Sequence, residues 1–116
     1  MTIETKYWKT VQANDGSYLD VHLVNGTDVR NTLDVGWVGG GHDLVDRYIP
    51  EKMIWIEEGF SMEDRFAFLV HELHERDLMA NGAKYLDAHN LANEAEAKYR
   101  RATYFVEAPH ISDGNF

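Results

Sequence analysis

The spacing of hydrophobic positions changes once along the chain. Between residues 7 and 57 they alternate or cluster in short runs, and from residue 62 onward they recur every three to four positions. Residues 7–11 and 18–24 flank Asn14-Asp15-Gly16-Ser17, and Leu19, Val21 and Leu23 alternate with Asp20 and His22. An Asp-Gly pair between two such runs predicts a β-hairpin with one packed and one wet face. Asn25-Gly26 predicts a second turn, residues 33–38 a third strand, and Met53-Ile-Trp-Ile-Glu57 the clearest strand of all. Residues 43–48 fit no period, and Pro50 breaks whatever precedes it. The run Gly39-Gly40-Gly41 implies open backbone or the close approach of another part of the molecule.

In the second half, Ser61 followed by Met62, Glu63 and Asp64 is an N-cap with acidic residues in the first turn. It predicts a helix to about Ala80, stopped by Asn81-Gly82. A second helix is expected over residues 85–101, with Tyr85, Ala88, Ala92, Ala95 and Tyr99 on one stripe. Residues 104–108 read as a short last strand before a tail that begins at Pro109. The expected fold is α+β, a single domain over 1–116 with a small, mostly antiparallel sheet packed against two main helices.

Composition narrows the chemistry. A chain of 116 residues buries only about two-thirds of the surface its unfolded form exposes, which leaves one modest core. The chain has no Cys, so a metal would have to be held by His, Asp or Glu. The longest apolar runs are too short to span a bilayer and residues 1–10 lack a signal-peptide core, so a cytoplasmic protein without a membrane partner is expected. A formal charge of −9 repels phosphate backbones, and the basic cluster Lys98, Arg100 and Arg101 lies where a helix end favours it anyway. No nucleic-acid partner is expected.

The first helix has an unusual second face. Phe66, Leu69, Val70, Leu73 and Ala80 form an ordinary core stripe, but Phe68, Leu78 and Met79 occupy the other side, with His71, Glu72 and Glu75 among them. A helix apolar on both sides is sandwiched inside a fold, so those ionisable groups need compensation. His71 and Glu75 stand four apart on one face, about 5–6 Å between Cβ atoms, within reach of one ion. Glu72 is rotated by about 100° and can act over that ion as a base without binding it. This is the HExxH arrangement of zinc helices with Glu in the last place. His89, at the edge of the second helix's stripe, can face His71 across a short Asn-Gly turn. The expected ligands are therefore His71, Glu75 and His89, around Zn²⁺ or another divalent ion, with Asn93 and Glu96 as residues that hold His89.

With these residues, the segment from Met53 to Glu75 and the following helix resemble a minimal zincin-type metallopeptidase. The resemblance covers roughly residues 50–100. It implies zinc-dependent hydrolysis of a peptide or amide bond, Glu72 as the catalytic base, and a peptide substrate paired with an edge strand at residues 54–57. The chain departs from the family pattern where Glu75 replaces the second His and His89 stands in place of a carboxylate. His71-Glu72, Glu75 and Ala88-His89 on the next helix are also similar to short phage-type proteins.

Each residue also has a plainer reading. Glu72 and Glu75 can be solvated helix residues paired with Arg76, and His74, on a third side of the helix, fits a surface or hydrogen-bonded histidine, while a variant site using His71 and His74 stays open. His42, after the glycines, can be a loop ligand, a substrate contact or neither. Asp77 falls on the apolar stripe and needs Arg47, Arg65 or a backbone donor, either as a structural link or as support for the site. Trp8, Trp37 and Trp55 read as core or interface aromatics. The competing function is a non-catalytic phage assembly or host-interaction domain, built on a structural metal site or a buried ion-pair network.

Overall fold

The computed structural model describes residues 3–107. The elements run β1 (Thr5–Gln12), β2 (Tyr18–Val24), α1 (Gly26–Thr32), β3 (Gly40–His42), β4 (Met53–Glu57), α2 (Met62–Ala80) and α3 (Tyr85–Glu107). The four strands form one sheet in the order β1-β2-β4-β3. The β1–β2 and β3–β4 pairs are antiparallel, and β2–β4 is parallel, which is why the chain between them must leave the sheet and return. The protein is α+β, as its patterning predicts.

The hairpin forms with Gly16 in the left-handed region at φ 88°, and Ser61 caps α2 by accepting the Asp64 N–H at 3.2 Å. Three expectations change. Asn25 starts a helix instead of a turn: its side chain accepts the N–H groups of Thr27 and Asp28, satisfying donors that a helix start leaves open. Residues 33–38 are not a strand. The N–H groups of Leu33 and Asp34 both return to Val29 O, and the Asp34 side chain accepts the Gly36 N–H, so local bonds take up the backbone that a ladder would need. The third strand comes later, at β3. Finally, residues 104–107 continue α3, because one more turn on an existing helix costs little compared with nucleating a strand. Ala108 and the tail from Pro109 lie outside the described residues.

Both faces of the sheet are covered. Leu19, Val21, Ile54 and Ile56 pack with Leu69 of α2, joined by Trp8, Phe66 and Phe68. On the reverse face Val24, Val29, Trp37, Ile49 and Trp55 form a second cluster beneath α1 and the loop that follows. Ile54, Trp55 and Ile56 are therefore all buried, as a central strand requires. Placing β4 between β2 and β3 overturns the edge-strand role expected of residues 54–57. The open edge on this side of the sheet belongs to β3.

The glycine run serves close approach. A Cβ on Gly39 would meet the Phe60 ring at 2.5 Å, and one on Gly40 would lie 3.1 Å from Phe68 and 3.2 Å from Glu72 Oε2. Gly39 also holds φ at 123°, so a side chain there is excluded twice over. These glycines let β3 lie directly against α2.

Candidate metal centre

α2 is wedged between the sheet and α3, and its second half is buried although it is polar. His71, Glu72, Glu75, Arg76 and Asp77 are all at most 8% exposed. Leaving such groups unpartnered would cost about 1–3 kcal/mol each, and most have a partner. Arg76 makes a two-pronged bond to Asp43, at 2.6 and 3.0 Å, and so is not the partner of Glu72 or Glu75. Burial works to raise the Asp43 carboxyl, but Arg76 and the Lys52 N–H hold it below its ordinary value. The pair ties the residue after His42 to α2. Asp77 accepts the Asn14 N–H at 3.1 Å and anchors the hairpin turn, which makes it a structural link through a backbone donor.

Glu75 is the hub. Its Oε1 lies 2.8 Å from His42 Nε2, and its Oε2 lies 2.9 Å from His89 Nδ1 and 3.2 Å from His71 Nε2. The rings of His71 and His89 meet edge to face at 4.9 Å between centroids, and Tyr85 flanks His89 at 5.4 Å. Burial pushes the Glu75 carboxyl up, but three imidazole hydrogen bonds outweigh it and hold the group far below the usual carboxylate range.

Two overlapping sets of side chains here can hold a metal ion: His71, Glu75 and His89, or His42, Glu72 and Glu75, with donor atoms within 4.8 Å of one another. The bonds around His42 separate them. Its Nδ1 accepts the Leu44 N–H at 3.2 Å, so the ring proton sits on Nε2 and is donated to Glu75. The Leu44 N–H thus fixes His42 as the donor that orients Glu75, whereas no backbone bond among the described residues fixes the tautomer of His71 or His89, whose protons can give way to an ion. In the first set, by contrast, two imidazoles from successive helices share one carboxylate oxygen. His71 Nδ1 points away from it and lies 3.2 Å from Glu96 Oε1, though out of line for a hydrogen bond. A ligand histidine backed by a carboxylate is the usual outer arrangement of a metal site.

The cluster opens into a cavity of about 310 Å³. Its wall includes His71, Glu72, Glu75, His89, Asn93 and Glu96, together with the β3 backbone at Gly40 and Gly41. Asn93 is on that wall and makes no hydrogen bond to His89. Glu96 stands beside His71, without a hydrogen bond to it, where contact with His89 is expected, and accepts the Arg100 Nε–H at 3.1 Å. His74 is exposed and stands outside the site. Glu72 is 6% exposed and has no hydrogen-bond or ion-pair partner among the described residues. Burial, and then the carboxylates of Glu75, Asp46 and Glu96, raise its carboxyl well above the ordinary value.

Asp34, Trp37, Asp46 and Tyr85 also line the cavity, and sequence reasoning did not single them out for the site. Their one trace in the sequence is the density of carboxylates on either side of the glycine run. No protein-family model matches the chain, and comparison with curated proteins and with solved structures gave no match. Among the described residues, no helix is long and apolar enough to cross a membrane.

Proposed function

We propose that the protein is a metal-dependent hydrolase of peptide or amide bonds, with zinc bound by His71, Glu75 and His89. The observation that carries this reading is the convergence of those three side chains, from two helices, beside an unpartnered glutamate in a cavity. Two imidazoles and one carboxylate suit a borderline-soft divalent ion. Such an ion supplies Lewis-acid activation of water and of an amide carbonyl. The protein's own residues do the rest. Glu72 lies over the cavity face of Gly40 and takes up a proton, and its raised affinity for protons matches that task. His42 fixes Glu75, and the Glu96 carboxylate lies beside the outer nitrogen of His71. The strand pairing that the zincin resemblance implies passes to β3, because β4 is hydrogen-bonded on both sides.

The protein purified without added metal is expected to carry close to one zinc per chain, and His89→Ala to lose it. Glu72→Gln should keep the metal and the fold while hydrolysis of a peptide library disappears. Absence of metal from the wild-type protein would exclude the proposal.

One observation favours a second reading. Glu75 is within hydrogen-bond distance of all three imidazoles, so the cluster also satisfies itself as a buried network joining β3, α2 and α3. The domain would then be a non-catalytic assembly or host-interaction module of the phage-type kind. Retained metal with no hydrolysis in either wild type or Glu72→Gln would select a structural site, and no metal at all the bare network.

A further inference from the structure

The cavity is charged on both sides of β3. Successive residues of a strand face opposite ways. Glu72 covers Gly40 on the α2 side, and Asp46 Oδ2 fills the place where a Cβ of Gly41 would stand on the other. The Asp46 carboxyl has neither a hydrogen bond nor an ion pair among the described residues, although its backbone bonds to His42 O and the Ile49 N–H. Its neighbour on that wall, Asp34, is held in place by the Tyr48 hydroxyl at 3.0 Å and the Gly36 N–H at 2.9 Å. Neither Lys nor Arg lines the cavity. Burial, then the Asp34 carboxylate, raise the Asp46 carboxyl, and the nearby His42 offsets them only in part.

The Glu72 carboxyl, nine-tenths buried and unpartnered, points independently to a ligand in the same cavity. One divalent ion at His71, Glu75 and His89 would not neutralise the wall, since Asp34 and Asp46 remain on its other side, while Glu96 is already paired with Arg100. The register of β3 adds a direction. The bond from the Glu57 N–H to Gly39 O makes Gly40 and Ile56 a non-hydrogen-bonded pair, which turns the N–H and C=O of Gly40 to the open edge. A peptide strand laid there presents alternate side chains to the Glu72 face and to the Asp46 face.

We propose that Asp46 and Asp34 form a subsite for a cationic group of the substrate, so that the peptides accepted carry an ammonium or guanidinium next to the bond at the metal centre. This rests on the hydrolase reading for its purpose, but the charge recognition itself needs no metal. A lysine or arginine side chain and a free peptide N-terminus offer the same chemistry.

The test follows amide chemical shifts in the zinc-free and the zinc-loaded protein. Three probes are titrated: Nα-acetyl-lysine methylamide, with a side-chain cation; norleucine methylamide, with only the α-ammonium; and Nα-acetyl-norleucine methylamide, which is neutral. At low salt at least one cationic probe should bind about tenfold more tightly than the neutral one, with shifts at Gly40, Gly41 and Asp46, and which one does so identifies the source. Asp46→Asn, which breaks no bond in the fold, should abolish most of the preference, and the Asp34→Asn/Asp46→Asn double variant all of it. Equal binding of the three probes, no binding of any, or a preference that survives Asp46→Asn overturns the subsite. Zinc analysis of the samples separates the two proposals: if the protein offered zinc retains none, a cation preference leaves the subsite standing and removes the hydrolase.

Discussion

The two halves of α2 are buried by opposite means, and the polar half is the more deeply buried. Around Ala67 and Leu69 the helix meets the sheet through apolar side chains, with Ile54, Ile56, Leu19 and Val21 fully enclosed. From His71 to Asp77 the same helix buries five ionisable groups. The first half gains stability from any well-filled volume. The second is tolerable only because particular partners are in place: Asp43 for Arg76, Asn14 for Asp77, and three imidazoles for Glu75. Glu72 has no such partner, and it is the group that faces the cavity. A helix that could have been apolar throughout has been given costly groups over two turns, and the uncompensated one marks the open side of the site.

Substitutions in the two halves should therefore fail differently. The largest effect is expected from Ile54→Ala, where a fully enclosed side chain is lost from the central strand. It should cost about 2–5 kcal/mol and lower the thermal midpoint by many degrees, without altering the metal content of the molecules that remain folded. Arg76→Ala should cost about 3 kcal/mol, because it leaves the Asp43 carboxylate buried and unpaired. Here Arg76→Met in an Asp43→Leu background should recover most of the loss, as restored packing would in the apolar half. Urea unfolding of the single and double variants measures both.

Acid should break the polar half first. Glu75 and Asp43 have carboxyls held below their ordinary values, so each contributes stability that is present above the usual carboxylate range and lost as pH falls through the folded value. Glu72 has the opposite sign. Its raised carboxyl contributes most at low pH, and that contribution is lost as pH rises from the ordinary carboxylate value through the higher folded one. In metal-free protein Glu72→Gln should thus be a small stabilisation at neutral pH, about 1 kcal/mol, that vanishes in acid. Thermal midpoints of wild type and Glu72→Gln between pH 3 and pH 8 check the sign, and a Glu72→Gln variant that loses stability at neutral pH would contradict the burial argument.

Much of the site was legible because its first pieces are local. The four-residue spacing of His71 and Glu75, the rotation of Glu72, and the N-cap at Ser61 are properties of one helix. The facing of His89 needed only that a short Asn-Gly turn bring two helices together. What escaped was non-local. His42 reaches Glu75 across 33 positions, and Asp43 reaches Arg76 across the same separation. Residues 33–38 have strand-like side chains, yet Val35 and Val38 are exposed because the Asp34 turn claimed the backbone there. β3 could hardly be read at all, since Gly40-Gly41-His42 has almost no side-chain pattern and pairs only because β4 offers it an edge.

Local order in the amino acids was enough to determine the first hairpin, the strand at residues 53–57 and the two long helices, and that one helix carries a histidine and two glutamates where apolar neighbours crowd them. Periodicity and capping act within a few residues, so they can be read without coordinates. Only the folded chain decided that β4 is enclosed, that β3 supplies the free edge, and that His42, Asp46 and Asp34 gather around the same cavity. Those placements come from long-range pairing and from whichever groups must share the burial of a common carboxylate, and no window of neighbouring residues contains that information.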